Sequence, residues 1–257
     1  MNDFNRTFGA VDARSADTSV DAGLRAFMLG VYQKLALGLA VAGGLAFVVG
    51  ANLVPALTAF VYEPTVFMVI RFAPVVLLLG AMFLMRRPSP LGSGIFYWAI
   101  VTLMGLSLSM WVAGATGTIE LSRRGGAVMN PQVIDIAKAF FITAGAFGGL
   151  SLFGYTTKIN LRPIGVFASY ALIGAVLLGL VSLLFPPSSM LGLLIMGVVL
   201  VVSGILIAFD TQMLKENYYD FQGDVRSLAV MTNQGALNFF ISFVNIFQIM
   251  MSLLSSD

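Results

Sequence analysis

The 257-residue chain contains no cysteine and no histidine. Disulfides, thiolate nucleophiles, imidazole-ligated zinc and His-based catalytic triads are therefore excluded. Charge is scarce too: 14 Lys and Arg and 12 Asp and Glu make up only 10% of the residues, where soluble domains run near a quarter. The formal net charge of +2 is too small to argue for a nucleic-acid partner. No glycine-rich phosphate loop of the Walker type appears, and no base is in evidence that would activate a serine. Neither enzymatic activity nor a bound cofactor is expected. In place of charge the chain has 58% hydrophobic residues and a mean hydropathy of +0.93. This pattern predicts an all-α integral membrane protein whose first partner is the lipid bilayer.

Seven apolar segments are long enough to cross it, at about 31–53, 65–85, 95–115, 136–157, 164–185, 190–209 and 235–254. Residues 1–30 read as a polar, mostly disordered cytoplasmic tail ahead of a seven-helix transmembrane domain over 31–257. The tail closes on a short amphipathic stretch in which Leu24, Phe27 and Met28 share a face. Its four aspartates speak against a mitochondrial transit peptide, so the N-terminus is expected to be retained. Pro74 is expected to kink the second span. Small residues, Gly38, Ala42 and Gly43 in the first span and Ala144, Gly145, Ala146, Gly148 and Gly149 in the fourth, predict close helix packing. Tyr97, Trp98 and Trp111 near the ends of the third span read as an aromatic belt. The Gly-rich stretch 117–135 reads as an irregular surface loop.

With the N-terminus inside, ten Lys and Arg fall on the cytoplasmic side against four (Arg71, Arg123, Arg124 and Lys138) on the other, which favours that orientation. The uncharged run 190–209 ends in Asp210, at the same cytoplasmic depth as Arg86 and Arg87 at the end of the second span. An acid and a base at one depth on different helices can pair, and an acid there points to function. The arginines could equally reach lipid headgroups, and both readings stay open. In the last segment Asn238, Ser242, Asn245, Gln248 and Ser252 recur at helical spacing, a polar stripe that must face protein or water. It is either interhelical hydrogen-bonding glue or the lining of a polar path.

Several motifs, in order, resemble the Bax-inhibitor family (the transmembrane Bax-inhibitor-motif family) in its bacterial form. They are the run from Asp21 to Leu29, Leu103 to Ser109, Phe140 to Lys158, and Asp210-Thr211-Gln212 with Lys215-Glu216 and Tyr218-Tyr219. The resemblance spans about residues 21–254. It implies seven helices with the last central among the other six, a pH-sensitive calcium leak and, in some bacterial relatives, restraint of a membrane-bound ATP-dependent protease. Bacterial inner-membrane residence goes with it. In the family's leak two aspartates of the sixth and seventh helices share a proton, and an arginine closing the second helix bonds one of them. Matched residue by residue, that acid is Asp210 and that arginine Arg86, but Ser242 stands at the second aspartate. The expected gate is thus Asp210, Arg86 and Ser242, and the path Asn238, Asn245 and Gln248. Asp210 alone would offer a weak calcium contact, with calcium as permeant ion rather than cofactor. Without a second carboxylate, pH dependence near neutrality should be weak. The stretch 117–135 is an apparent insertion relative to the bacterial pattern.

Seven crossings from an inside N-terminus place the C-terminus outside. A C-terminal reporter fusion is expected to be active only on the extracytoplasmic side; cytoplasmic activity would mean that the last segment re-enters.

Overall fold

The computed structural model describes the backbone of residues 3–84, 88–123, 131–182 and 189–255, and side chains at 22–81, 88–115, 133–182 and 190–255. Eight helices are present among them: α1 (Asp3–Gly50), α2 (Pro55–Val61), α3 (Pro64–Leu84), α4 (Pro90–Arg123), α5 (Pro131–Thr156), α6 (Arg162–Ser182), α7 (Ser189–Asp220) and α8 (Val225–Leu254). All but the short α2 are long and apolar enough to cross a membrane. The chain is an all-α membrane protein with seven candidate spans.

Three boundaries differ from the sequence reading. First, α1 begins at Asp3 where a mostly disordered tail was expected, and the amphipathic stretch over 22–29 is a helical part of it, with Leu24, Phe27 and Met28 buried in the core. Second, α4 continues to Arg123 and α5 starts at Pro131, so of the loop expected over 117–135 only 124–130 lie outside the described residues. Third, α7 runs on past Asp210 to Asp220. Asp210 therefore lies inside a helix, about 15 Å before its end at 1.5 Å per residue. Pro74, expected to kink its span, is accommodated within a continuous α3.

Helix α8 starts where the Asp224 carboxylate accepts the amides of Arg226 and Ser227 and the Ser227 hydroxyl. These bonds, the Ser227 side chain first, hold the Asp224 carboxyl below its usual range. Half of the most apolar stretch of α8 is buried, against a third or less in the other spans. It packs on α1, α4, α5 and α7, while α3 packs on α4 and α6 on α7. The last helix is thus the most enclosed, but its close neighbours among the described residues are four rather than six. Aromatic contacts fix it. Phe239 stacks on Tyr32 (centroids 5.6 Å) and meets Phe147 edge-on (5.3 Å), Phe240 meets Tyr97 (6.4 Å), and Phe243 meets Phe140 (5.7 Å). Each such pair adds about 0.5–1.5 kcal/mol beyond the area it buries.

Glycine brings helices together at some positions and not at others. A Cβ on Gly38 would lie 2.0 Å from the Tyr97 hydroxyl, and one on Gly105 would lie 2.7 Å from the Cα of Ala42, so α1 and α4 cross almost in contact. Tyr97 is therefore not a belt residue: it is wholly buried, its hydroxyl donating to the Lys34 carbonyl at 2.6 Å. On α5 the tight position is Gly154, whose Cβ would fall 2.1 Å from the Ala208 carbonyl oxygen, whereas Gly145, Gly148 and Gly149 face open space. The expected close packing of those three glycines does not occur.

Gly154→Ala is expected to destabilise the bundle by about 1–3 kcal/mol, the usual cost of overpacking, and Gly145→Ala to be neutral or slightly stabilising. Thermal unfolding of the two purified variants in detergent measures the difference; equal midpoints would contradict the α5–α7 contact.

Candidate functional site

Ile207, Thr211, Leu214 and Tyr218 recur at helical spacing and are all buried, defining the face of α7 that looks into the bundle. Asp210 stands at the edge of that face, partly buried and beside the Asn238 side chain of α8. Two further contacts establish the register. A Cβ on Gly235 would meet Leu214 at 2.8 Å, and the Ser252 hydroxyl lies 3.8 Å from the Met196 sulfur. With Asp210 opposite Asn238, the three pairs define one antiparallel alignment of α7 and α8. Ser242 is then one turn, about 6 Å, farther along α8 than Asn238. Ser203 of α7 falls level with Asn245.

The structure thus brings Asp210 to Asn238, assigned to the polar path, rather than to Ser242, matched to the gate. Ser242 is buried and forms no hydrogen bond to Asp210 among the described residues. Asn238 is exposed, and Asn245 and Gln248 are partly buried. Arg86, the expected partner of Asp210, lies outside the described residues. Two groups escaped the sequence reading: the hydroxyls of Ser203 and Thr143 are buried with no hydrogen-bond partner among the described residues. The sequence signal for Ser203 was its position seven residues, two helical turns, before Asp210.

The residues following Asp210 hold the structure around it. Thr211 donates to the Ile207 carbonyl at 2.7 Å and lies 3.1 Å from the Ser151 hydroxyl, which is 2.5 Å from that of Tyr32. Helices α1, α5 and α7 are joined by this chain of hydroxyls. Gln212 is buried, accepting from the Leu161 amide and donating to the Ile159 carbonyl, both at 2.8 Å. Its amide therefore pairs with the α5–α6 turn as another strand would. Lys215 donates to the Tyr155 carbonyl at 3.2 Å, and Glu216 pairs with Arg162 at 3.3 Å. On the opposite side of α8, Asn233 accepts from Lys34 and donates to the Pro90 carbonyl (2.9 Å) and the Ser93 hydroxyl (2.8 Å). The Lys34 ammonium also lies 5.1 Å from the Tyr97 ring centroid. This second polar cluster was not anticipated; Asn233, one turn and a half before Asn238, was its only sequence signal.

A family model described as "Inhibitor of apoptosis-promoting Bax1" matches residues 24–257. The chain belongs to the Bax-inhibitor family. An uncharacterized protein of Caulobacter vibrioides is 44% identical over 98% of this chain and 97% of its own length. The protein RP147 of Rickettsia prowazekii is 30% identical over 100% of this chain and 99% of its own. The inner membrane protein YbhL of Escherichia coli strain K12 is 37% identical over 44% of this chain and 48% of its own. In this Bax-inhibitor protein the run from Asp210 to Glu216 has two structural parts: one acid turned towards α8, and a set of polar side chains that clamp α7 to α5 and its following turn.

Gln212→Ala is expected to destabilise the protein by about 1–3 kcal/mol, because it leaves the Leu161 amide and the Ile159 carbonyl without their partners. Proteolysis at the turn over 157–161 should rise with it. Unchanged unfolding and cleavage would show that the clamp is dispensable.

Proposed function

We propose that this Bax-inhibitor-family protein is a cation leak, passing calcium across a bacterial inner membrane, with Asp210 as the acid that meets the ion. The observation that carries the reading is the position of Asp210 against Asn238, at the start of the polar face of α8. A carboxylate on an apolar helix, turned to a partner helix with further polar groups, marks an ion pathway by default. Along α8 the amides and hydroxyl of Asn238, Ser242, Asn245 and Gln248 offer oxygen to a cation or its water. The unpartnered Ser203 hydroxyl, level with Asn245, is a place where such water belongs.

Calcium takes six to eight oxygen ligands and prefers carboxylates. Among the described residues no group of three or more acids could hold it. One carboxylate with amide and hydroxyl neighbours binds weakly, which suits passage rather than storage. Closure would come from Arg86 pairing with Asp210. With Ser242 where a second acid would titrate together with Asp210, flux should vary little with pH near neutrality. The cytoplasmic N-terminus rests on the charge count, and the inner membrane on the likeness to the Escherichia coli inner membrane protein. The protein is read as neither an enzyme nor a cofactor carrier.

One observation favours a second reading. Lys34, held by Asn233, sets a positive charge about 8 Å along α8 from Asn238, where it would oppose cation entry. A non-conducting regulator of a membrane-protein partner, such as a membrane-bound ATP-dependent protease, would tolerate that charge.

Calcium flux into liposomes separates the two. The wild type is expected to leak with little change between pH 6 and 8. Asp210→Asn should lower the flux about tenfold, as losing the only matched carboxylate costs a hard cation about 1.4 kcal/mol or more. Ser242→Asp should add a steep pH dependence. If all three are silent while an ionophore control gives signal, the calcium leak is wrong and the regulator reading replaces it.

A further inference from the structure

Helices α1 and α5 both pack on α8 and meet each other through the Tyr32–Ser151 hydrogen bond, without a close approach of their backbones among the described residues. Between them lies an open groove of about 720 Å³. Its walls are Leu29 and Tyr32 of α1 and Phe147, Gly148 and Leu152 of α5. Phe239 of α8, which packs on both Tyr32 and Phe147, lies behind it. The glycine matters here: a Cβ on Gly148 would meet nothing within 4 Å, so the absent side chain leaves the groove open.

The groove is charged at one end only. Arg25 and Tyr155 line that end, and the Lys215 ammonium lies against Tyr155, 5.1 Å from its ring centroid. Neither Arg25 nor Lys215 forms an ion pair with a carboxylate among the described residues. Two cations without a carboxylate partner among the described residues therefore flank the mouth of an apolar channel. From Arg25 to Tyr32 the channel runs about 10 Å along α1. A headgroup phosphate at the cations would let an acyl chain continue along the apolar walls.

We propose that this groove is a binding site for one anionic phospholipid of the surrounding leaflet, its phosphate at Arg25 and Lys215 and one acyl chain along Leu29, Phe147 and Leu152 beside Gly148. Basic pockets between transmembrane helices on the cytoplasmic side recognise anionic headgroups in this way. The bound chain would cover the Tyr32 and Ser151 hydroxyls on the groove wall, shielding their hydrogen bond from water. Because Ser151 also meets Thr211, next to Asp210, the lipid would brace the same hydroxyl chain that ties α1 and α5 to α7.

The test is native mass spectrometry of the purified full-length protein titrated with phosphatidylglycerol or phosphatidylcholine, with folding checked by circular dichroism. Phosphatidylglycerol is expected to be retained in preference to phosphatidylcholine at one site per chain. Arg25→Gln and Lys215→Gln should each weaken that retention about fivefold, the change expected for one basic residue near a lipid surface. Gly148→Leu fills the groove and should abolish retention of the one lipid. Gly149→Leu, on the same helix at a position also open but outside the groove, should not. Equal retention by the two leucine variants, or equal binding of the two lipids by the wild type, overturns the proposal. Should Gly148→Leu fail to fold, the two charge variants decide alone.

Discussion

A helix with Asn238, Ser242, Asn245, Gln248 and Ser252 along one face cannot lie against hydrocarbon, and the arrangement of the bundle follows from that constraint. Its other faces carry Phe239, Phe240 and Phe243, which are buried against α1, α4 and α5. The polar face calls for protein or water and the aromatic faces are packed on three helices, so α8 is the most enclosed span, and α3 and α6 are left on the outside. Asp210 acquires its meaning from the same constraint. On an outward face of α7 it would be a costly charge in lipid, but beside α8 it continues a polar surface that already exists.

The seven spans and the polar stripe on α8 were legible in the sequence because each depends on composition at helical spacing. What was not legible depends on where helices end and which faces meet. Lys215, Glu216 and Asp220 looked like a connection because charge reports where lipid stops, yet the backbone of α7 stays helical beyond that point. The small residues of α5 showed that a close approach was permitted, not where it happens: Gly154 meets α7, while Gly148 leaves a gap. Tyr97 sits near a span end, as a belt residue would, but Gly38 opposite it makes room for the ring inside. Likewise the stripe identified Asn238 as polar without indicating that it, rather than Ser242, faces Asp210.

Two polar networks brace opposite sides of α8. Tyr32, Ser151 and Thr211 connect α1, α5 and α7, while Lys34, Asn233 and Ser93 connect α1, α8 and α4. Buried networks of this kind rigidify when every member is satisfied. Asp210 lies one residue from the first network, and Asn238 five from the second. The acid is consequently held on a stiff frame, which restricts any gating motion to elements outside it, with the peripheral α3, leading towards Arg86, the least enclosed of the spans. Lys34 and Asp210 thus lie towards the same end of α8 but against opposite sides of it.

The most direct test of the central claim, that water reaches the polar face of α8, exploits the absence of cysteine. Single substitutions Asn238→Cys, Asn245→Cys and Gln248→Cys, with Phe141→Cys as an exposed apolar control on α5, would be treated in intact membranes with a membrane-impermeant, water-soluble thiol reagent. The account predicts labelling at the three α8 positions, fastest at Asn238, and none at Phe141. No labelling on α8 in folded protein would mean that the stripe is hydrogen-bonding glue sealed inside the bundle, and would contradict a polar path beginning at Asp210.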